Sequence, residues 1–302
     1  MRKVLVPVAV LVTACALSAC QPAASSGGKL TIVASFYPLQ YVAQRIAGDH
    51  ATVTNLTNPG AEPHDVELTV KQVADVATAD VVFYEKGLAP AVDQAVANDA
   101  SKVVVDTVTA VPLHPPVPGE TVPGDTEMDA GDPHFWQDPT LLAKVAAQFE
   151  RALAKADRAH AADYRRNLGS LQADLANLDT TYRQGLAHCK IHAIVVSHDA
   201  FEYLGRRYGL KILPIAGLSP EAEPSVKHIA QLQQLVRSDH VTTVFSEVLA
   251  SPKMSQTLAS DLGLKTAVLD PIEGLSSSDA HANYLSIMKA NLAAIERANS
   301  CT

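Results

Sequence analysis

Four short segments, far apart in the chain, carry side chains able to bind a metal ion. They are Gly60-Ala61-Glu62-Pro63-His64-Asp65, Asp132-Pro133-His134-Phe135-Trp136-Gln137-Asp138-Pro139, Val195-Val196-Ser197-His198-Asp199-Ala200-Phe201 and Ala267-Val268-Leu269-Asp270-Pro271-Ile272-Glu273-Gly274. The donors they offer are His64, His134, His198 and Asp270. Three imidazoles and one carboxylate form a set suited to a divalent transition metal, and imidazole nitrogen suits zinc well. Four protein donors leave no open position, so such a site would hold the ion rather than activate water on it. A proline beside His64, His134 and Asp270 stiffens the backbone that carries each donor. A single His near a strand end says little in a chain with 11 of them. Four donor segments in matching places say more. Ser197-His198-Asp199 holds the residue types of a hydrolase triad, but consecutive strand residues point to opposite faces. The chain also lacks a Gly-x-Ser-x-Gly elbow.

The elements that must position these donors come in two sets. Apolar runs at Leu30–Ala34, Ala51–Leu56, Val81–Tyr84 and Lys102–Asp106 are followed later by Ala193–Ser197, Lys211–Ile215, Thr243–Ser246 and Thr266–Leu269. They are continuously apolar, as strands buried on both faces are. Helical patterns separate them, among them Pro38–Ala47, Val70–Ala77, Ala200–Tyr208, Ser225–Val236 and Pro252–Leu262. Strand–helix–strand repetition predicts an α/β fold: two lobes, each a small parallel sheet flanked by helices. Thr69-x-x-Gln72 reads as a capping box, Asp138-Pro139 and Ser251-Pro252 as caps followed by proline, and Gly263 as a helix stop. Between the sets, Leu168, Leu171, Leu175, Leu178, Tyr182 and Leu186 form one apolar stripe on a long helix, with a break near Ala156-Asp157. In open α/β sheets ligands bind beyond the carboxyl ends of the strands, where all four donor segments lie. The expected site is the cleft between the lobes.

Composition bounds the rest. The 302 residues include 24 Lys plus Arg against 32 Asp plus Glu, a net charge of −8, with 5% aromatics. That balance, without a basic run, argues against a nucleic-acid partner. The start is different in kind. Arg2 and Lys3 precede an apolar run from Val4 to Leu17, and then Leu17-Ser18-Ala19-Cys20. This reads as a signal peptide over residues 1–20. Its end resembles the lipobox of bacterial lipoproteins, which implies cleavage before Cys20, a lipid on its thiol and an extracytoplasmic chain held at the membrane. Residues 21–29 are a flexible tether. Of four Cys, Cys15 leaves with the signal and Cys20 takes the lipid. Cys189 and Cys301 remain, an even number in an oxidising compartment, and are expected to pair. The expected organisation is a first lobe over 30–157, a connecting helix over 158–187 and a second lobe over 188–302. The Pro-rich segment 111–132, with His114, Glu120, Asp125, Glu127, Asp129 and Asp132 but no Lys or Arg, is expected to be a mobile acidic loop within the first lobe.

The segments "EPHD", "DPHFWQDP", "VVSHDAF", "LSPEAEPS" and "VLDPIEGL" together resemble the metal-binding receptors of zinc and manganese ABC importers, over nearly all of the chain beyond the signal. The resemblance implies two α/β lobes joined by a long rigid helix, with metal buried between them. It implies ligands at His64, His134, His198 and Asp270; in some zinc-type relatives water or a nearby Glu takes the fourth place. Manganese-type relatives usually carry Glu at the third position, so His198 favours Zn²⁺ over Mn²⁺. The resemblance further implies a non-enzymatic monomer that hands its ion to a permease driven by a separate ATPase, consistent with the missing phosphate-binding loop. In many zinc relatives the loop between the first two ligands is rich in His, whereas 111–132 has only His114; cation recruitment and an inert linker both stay open for it. The competing readings are a manganese receptor, a zinc-dependent hydrolase and a surface adhesin. Phe135 and Trp136 are expected to pack around His134. Glu221, Glu223 and Glu247 are candidates to hydrogen-bond the ligands or to cap helices.

Overall fold

The structure is a computed structural model, and it describes residues 29–98, 103–115, 131–276 and 282–302. Residues 1–28, including Cys20, and 116–130 of the acidic segment lie outside these. The first sheet is built from β1 (Leu30–Ala34), β2 (Ala51–Asn55), β3 (Val81–Tyr84) and β4 (Val103–Asp106), the second from β5 (Ala193–Val196), β6 (Lys211–Pro214), β7 (Thr243–Ser246) and β8 (Lys265–Val268). Their strand orders are β2-β1-β3-β4 and β6-β5-β7-β8, and every pairing is parallel. One topology is thus used twice, as the repeated strand–helix pattern requires.

The helices are α1 (Tyr37–Ala47), α2 (Val70–Thr78), α3 (Pro90–Asn98), α4 (Pro139–Ala156), α5 (Ala161–Gly185), α6 (Glu202–Tyr208), α7 (Val226–Ser238), α8 (Lys253–Leu262) and α9 (Tyr284–Asn299). Local chemistry sets several of their ends. Thr69 and Gln72 form the reciprocal capping box of α2. Asp138 caps α4 ahead of Pro139, and Gly263 takes the left-handed conformation that stops α8. At the start of α8 the cap position falls on Pro252 rather than Ser251. Proline at that place offers no capping side chain, and the Ser251 hydroxyl lies 3.5 Å from the Lys253 N–H.

α5 packs against α1 and α4 on one side and α9 on the other. Leu171, Leu175, Leu178 and Tyr182 are buried along its stripe and Leu168 is partly buried. This stripe belongs to one continuous apolar core that includes Ile32, Phe83 and Phe149 from the first half and Ile194, Phe245 and Ile295 from the second. Two smaller clusters cover the outer sheet faces, one under α2 and α3, the other under α7 and α8. Cys189 and Cys301 form a disulfide that ties the end of the chain to the segment leading into β5. Among the described residues no helix is long and apolar enough to cross a membrane.

Candidate metal centre

Each donor sits on a loop leaving the carboxyl end of a strand or entering a helix, and hydrogen bonds hold each loop. His64 lies between β2 and α2. Its loop turns at Gly60, where φ is +84°, and the Gly60 N–H donates to Leu275 O at 2.8 Å, tying it to the loop after β8. His134 precedes a single 3₁₀ turn, Phe135–Gln137. Asp132 Oδ1 accepts from the backbone N–H of His134 at 2.9 Å and from its ring Nδ1 at 2.8 Å. His198 follows β5, and its Nδ1 donates to Glu247 at 3.0 Å, a carboxylate that also accepts from the Ser197 hydroxyl. A carboxylate on Nδ1 fixes the tautomer and turns the Nε2 lone pair toward the cleft.

The fourth residue of the buried cluster is Glu273, and Asp270 stands outside it. His64, His134, His198 and Glu273 place their donor atoms within 4.8 Å of one another, and all four side chains are buried. Glu273 Oε1 lies 3.6 Å from His64 Nε2, 3.0 Å from His134 Nε2 and 3.1 Å from His198 Nε2. A tetrahedral ion with bonds of about 2.0–2.1 Å separates its donors by about 3.3–3.4 Å, so these spacings bracket a zinc-sized coordination shell. Asp270 serves the backbone instead: its Oδ1 accepts from the Ile272 N–H at 2.7 Å. Its own N–H and carbonyl are held by the Asn291 amide at 2.9 and 2.7 Å. The resulting turn forces buried Ile272 to φ +63°, a costly conformation for a β-branched residue. Trp136 Nε1 and Gln137 Nε2 both donate to Pro271 O, so the segment carrying His134 also steadies the turn carrying Glu273.

Charge is balanced within the cluster. Burial pushes the Glu273 carboxyl up, but His198 and then His134 and His64 outweigh it and hold the group well below its ordinary range. Burial pushes the His198 imidazole down, but Glu247 and Glu273 outweigh that and hold it well above. Glu62, beside the site, is pushed up to about 8 by burial and then by the charge on Glu273. Glu85, just past β3, is fully buried with neither carboxylate oxygen hydrogen-bonded, and burial pushes its carboxyl well above the ordinary range.

His64, His134 and His198, offered as donors by the sequence, meet in this cluster. Trp136 packs beside His134, the indole 5.2 Å from the imidazole, and Phe135 packs edge-on against Trp136 at 5.7 Å. Asp270, the expected fourth donor, is not part of the cluster; Glu273, three residues further on, is. Of the three glutamates singled out, Glu247 binds a ligand ring, while Glu221 and Glu223 line a crevice of about 240 Å³ that Glu247 and Ser197 also border. The Nδ1 partner of His198 is thus Glu247 and not its neighbour Asp199. No sequence motif marks Glu85.

The family described as zinc-uptake complex component A, periplasmic (ZnuA), matches residues 32–298. The chain is 34% identical over 298 residues to the zinc-binding lipoprotein AdcA of Streptococcus pneumoniae, covering 95% of this chain and 60% of that protein's length. It is 33% identical over 297 residues to the high-affinity zinc uptake system protein ZnuA of Bacillus subtilis, covering 95% of this chain and 93% of that one. The crystal structure of the Zn(II)-bound ZnuA-like domain of S. pneumoniae AdcA superposes with a TM-score of 0.74 at 32% identity, covering 90% of this chain and 99% of that one. Because the match runs through both sheets and all four donor-bearing loops, the chain belongs to the ZnuA family of zinc-uptake components.

Proposed function

We propose that this chain captures Zn²⁺ outside the cytoplasm and delivers it to the membrane permease of an ABC importer driven by a separate ATPase. The observation that carries the reading is the buried meeting of His64, His134, His198 and Glu273 within 4.8 Å. Three neutral nitrogens and one carboxylate fill a tetrahedral zinc shell and leave no position for a reacting water, so the group stores an ion and has no catalytic residue. The donors come from loops of both sheets, so capture joins the lobes 30–157 and 188–302 across the helix that connects them. Acylation of Cys20, with residues 21–29 as tether, would keep the monomeric receptor beside its permease.

Elemental analysis of the mature protein purified without added metal tests the reading. One zinc per chain is expected. The His64→Ala, His134→Ala, His198→Ala triple variant is expected to purify without it. Stoichiometric tight zinc in that variant would refute the site, and manganese in place of zinc in the unaltered protein would move the reading to the manganese receptor.

A further inference from the structure

Two backbone segments meet at one edge of the site, and a tyrosine from the other lobe holds them. The Asp132 N–H donates to His114 O at 2.9 Å, an isolated antiparallel bridge. The His114 N–H donates to the Tyr203 hydroxyl at 3.0 Å, and that hydroxyl donates to Asp132 O at 2.9 Å. The imidazole of His114 stacks on the Tyr203 ring at 4.3 Å, and the tyrosine is buried. Gly131 makes the close approach possible. Its φ is +95°, and a Cβ there would lie 2.8 Å from His114 O. Asp132 in turn grips His134 at both its backbone N–H and its ring. Tyr203 is the second residue of α6, five residues beyond His198. The connection that presents one imidazole therefore braces the support of another.

We propose that Tyr203 is a positioning residue for metal capture, its hydroxyl locking Asp132 and through it the orientation of His134. This rests on the zinc-capture reading of the site. The Tyr203 hydroxyl stays protonated, because burial and then Asp132 raise its pKa, so it remains a donor to the Asp132 carbonyl. Without that bond the Asp132 carboxylate would keep its chemistry but lose its fixed place. His134 would then sample orientations in which Nε2 points away from the ion. The cost falls on how long the ion stays, since the other three donors are untouched.

The test is the rate of zinc loss to excess chelator from the full-length protein, read with the visible absorption of the Co²⁺-loaded form, which reports donor geometry. Tyr203→Phe is expected to release zinc about tenfold faster or more, the range for loss of a ligand's outer partner. It should also shift the Co²⁺ bands. Asp132→Asn is expected to do the same, and the double variant to release no faster than Asp132→Asn alone, because both act through one contact. Tyr182→Phe, which also loses a buried hydroxyl-to-carbonyl bond, is expected to leave rate and spectrum unchanged. Release from Tyr203→Phe at the unaltered rate, or effects that multiply in the double variant, would overturn the proposal. Should Tyr203→Phe fail to fold, Asp132→Asn alone carries the test, and an unaltered rate and unaltered Co²⁺ bands there overturn the proposal equally, since the tyrosine acts on His134 only through Asp132. If the unaltered protein holds no zinc, the capture reading fails, and this inference with it.

Discussion

Asp270 turns its carboxylate back onto the Ile272 N–H, whereas Glu273 sends its own toward the three imidazoles. The two roles separate in a pair of variants. Glu273→Gln is expected to weaken zinc binding by more than about 100-fold, beyond the 10–100-fold typical of an outer partner. Asp270→Asn retains an oxygen for the turn and is expected to change affinity little. Competition with a chromophoric chelator reads both, and equal losses would return the ligand role to Asp270. Proton linkage belongs at this scale too. The metal-free His198 imidazole is held well above its ordinary value, so it is protonated near neutrality, and a metal requires it neutral. Zinc therefore expels a proton, and affinity falls as pH falls. The sign is opposite for the metal-free fold. The stability from this raised imidazole is complete below the ordinary value of 6.5 and is lost as pH rises toward the folded one. Calorimetry in buffers of different ionisation enthalpy is expected to show about one proton released per ion at neutral pH; none released would contradict the pairing with Glu273.

Among the elements, α5 packs against helices of both halves. Its apolar stripe packs on α1, α4 and α9, so a single helix face supports both halves. Leu175 is 1% exposed in the middle of that face. Leu175→Ala is expected to lower unfolding stability by about 2–5 kcal/mol, the range for a large buried truncation. Urea unfolding of the metal-free protein measures it, and a loss below about 1 kcal/mol would mean the stripe is not tightly packed. Elsewhere, helix ends followed their caps where the cap was a strong signal, as at Thr69-x-x-Gln72. α9 begins with a box made by Asn283 and Ser286, and serine at the third position lacks the Glu or Gln that makes such a box visible in sequence.

At the scale of the molecule, the lobes share one apolar core rather than meeting across a polar hinge. Opening them by a large angle would expose part of that core, so release through movement of a donor loop costs less. The disulfide acts on the same scale. It joins residues 112 apart, near the amino end of β5, whereas His198 follows the carboxyl end of that strand. Replacing both Cys189 and Cys301 with Ser is expected to cost about 2–4 kcal/mol of unfolding stability, by freeing a long loop in the unfolded chain. Zinc stoichiometry should not change. Loss of zinc alongside stability would show that the bond also shapes the site.

Periodicity and punctuation made the fold legible in the sequence. Short Val- and Ile-rich strands, separated by amphipathic helices, admit little besides two parallel sheets, because inner strands such as β3 and β5 must be covered on both faces, whereas the edge strands β2 and β8 are more exposed than a strand buried on both faces would be. Residue chemistry also made the three imidazoles legible, since each lies in a short segment after a strand or ahead of a helix. The choice between Asp270 and Glu273 was not legible. Both are carboxylates in one short segment, and which faces inward depends on a turn held by Asn291, Trp136 and Gln137, residues distant in the chain. The grip of Tyr203 on Asp132 was hidden for the same reason. Types and spacing of residues are local and can be read along the chain, whereas the direction of a side chain at a convergent site is set by contacts that exist only after the lobes have packed together.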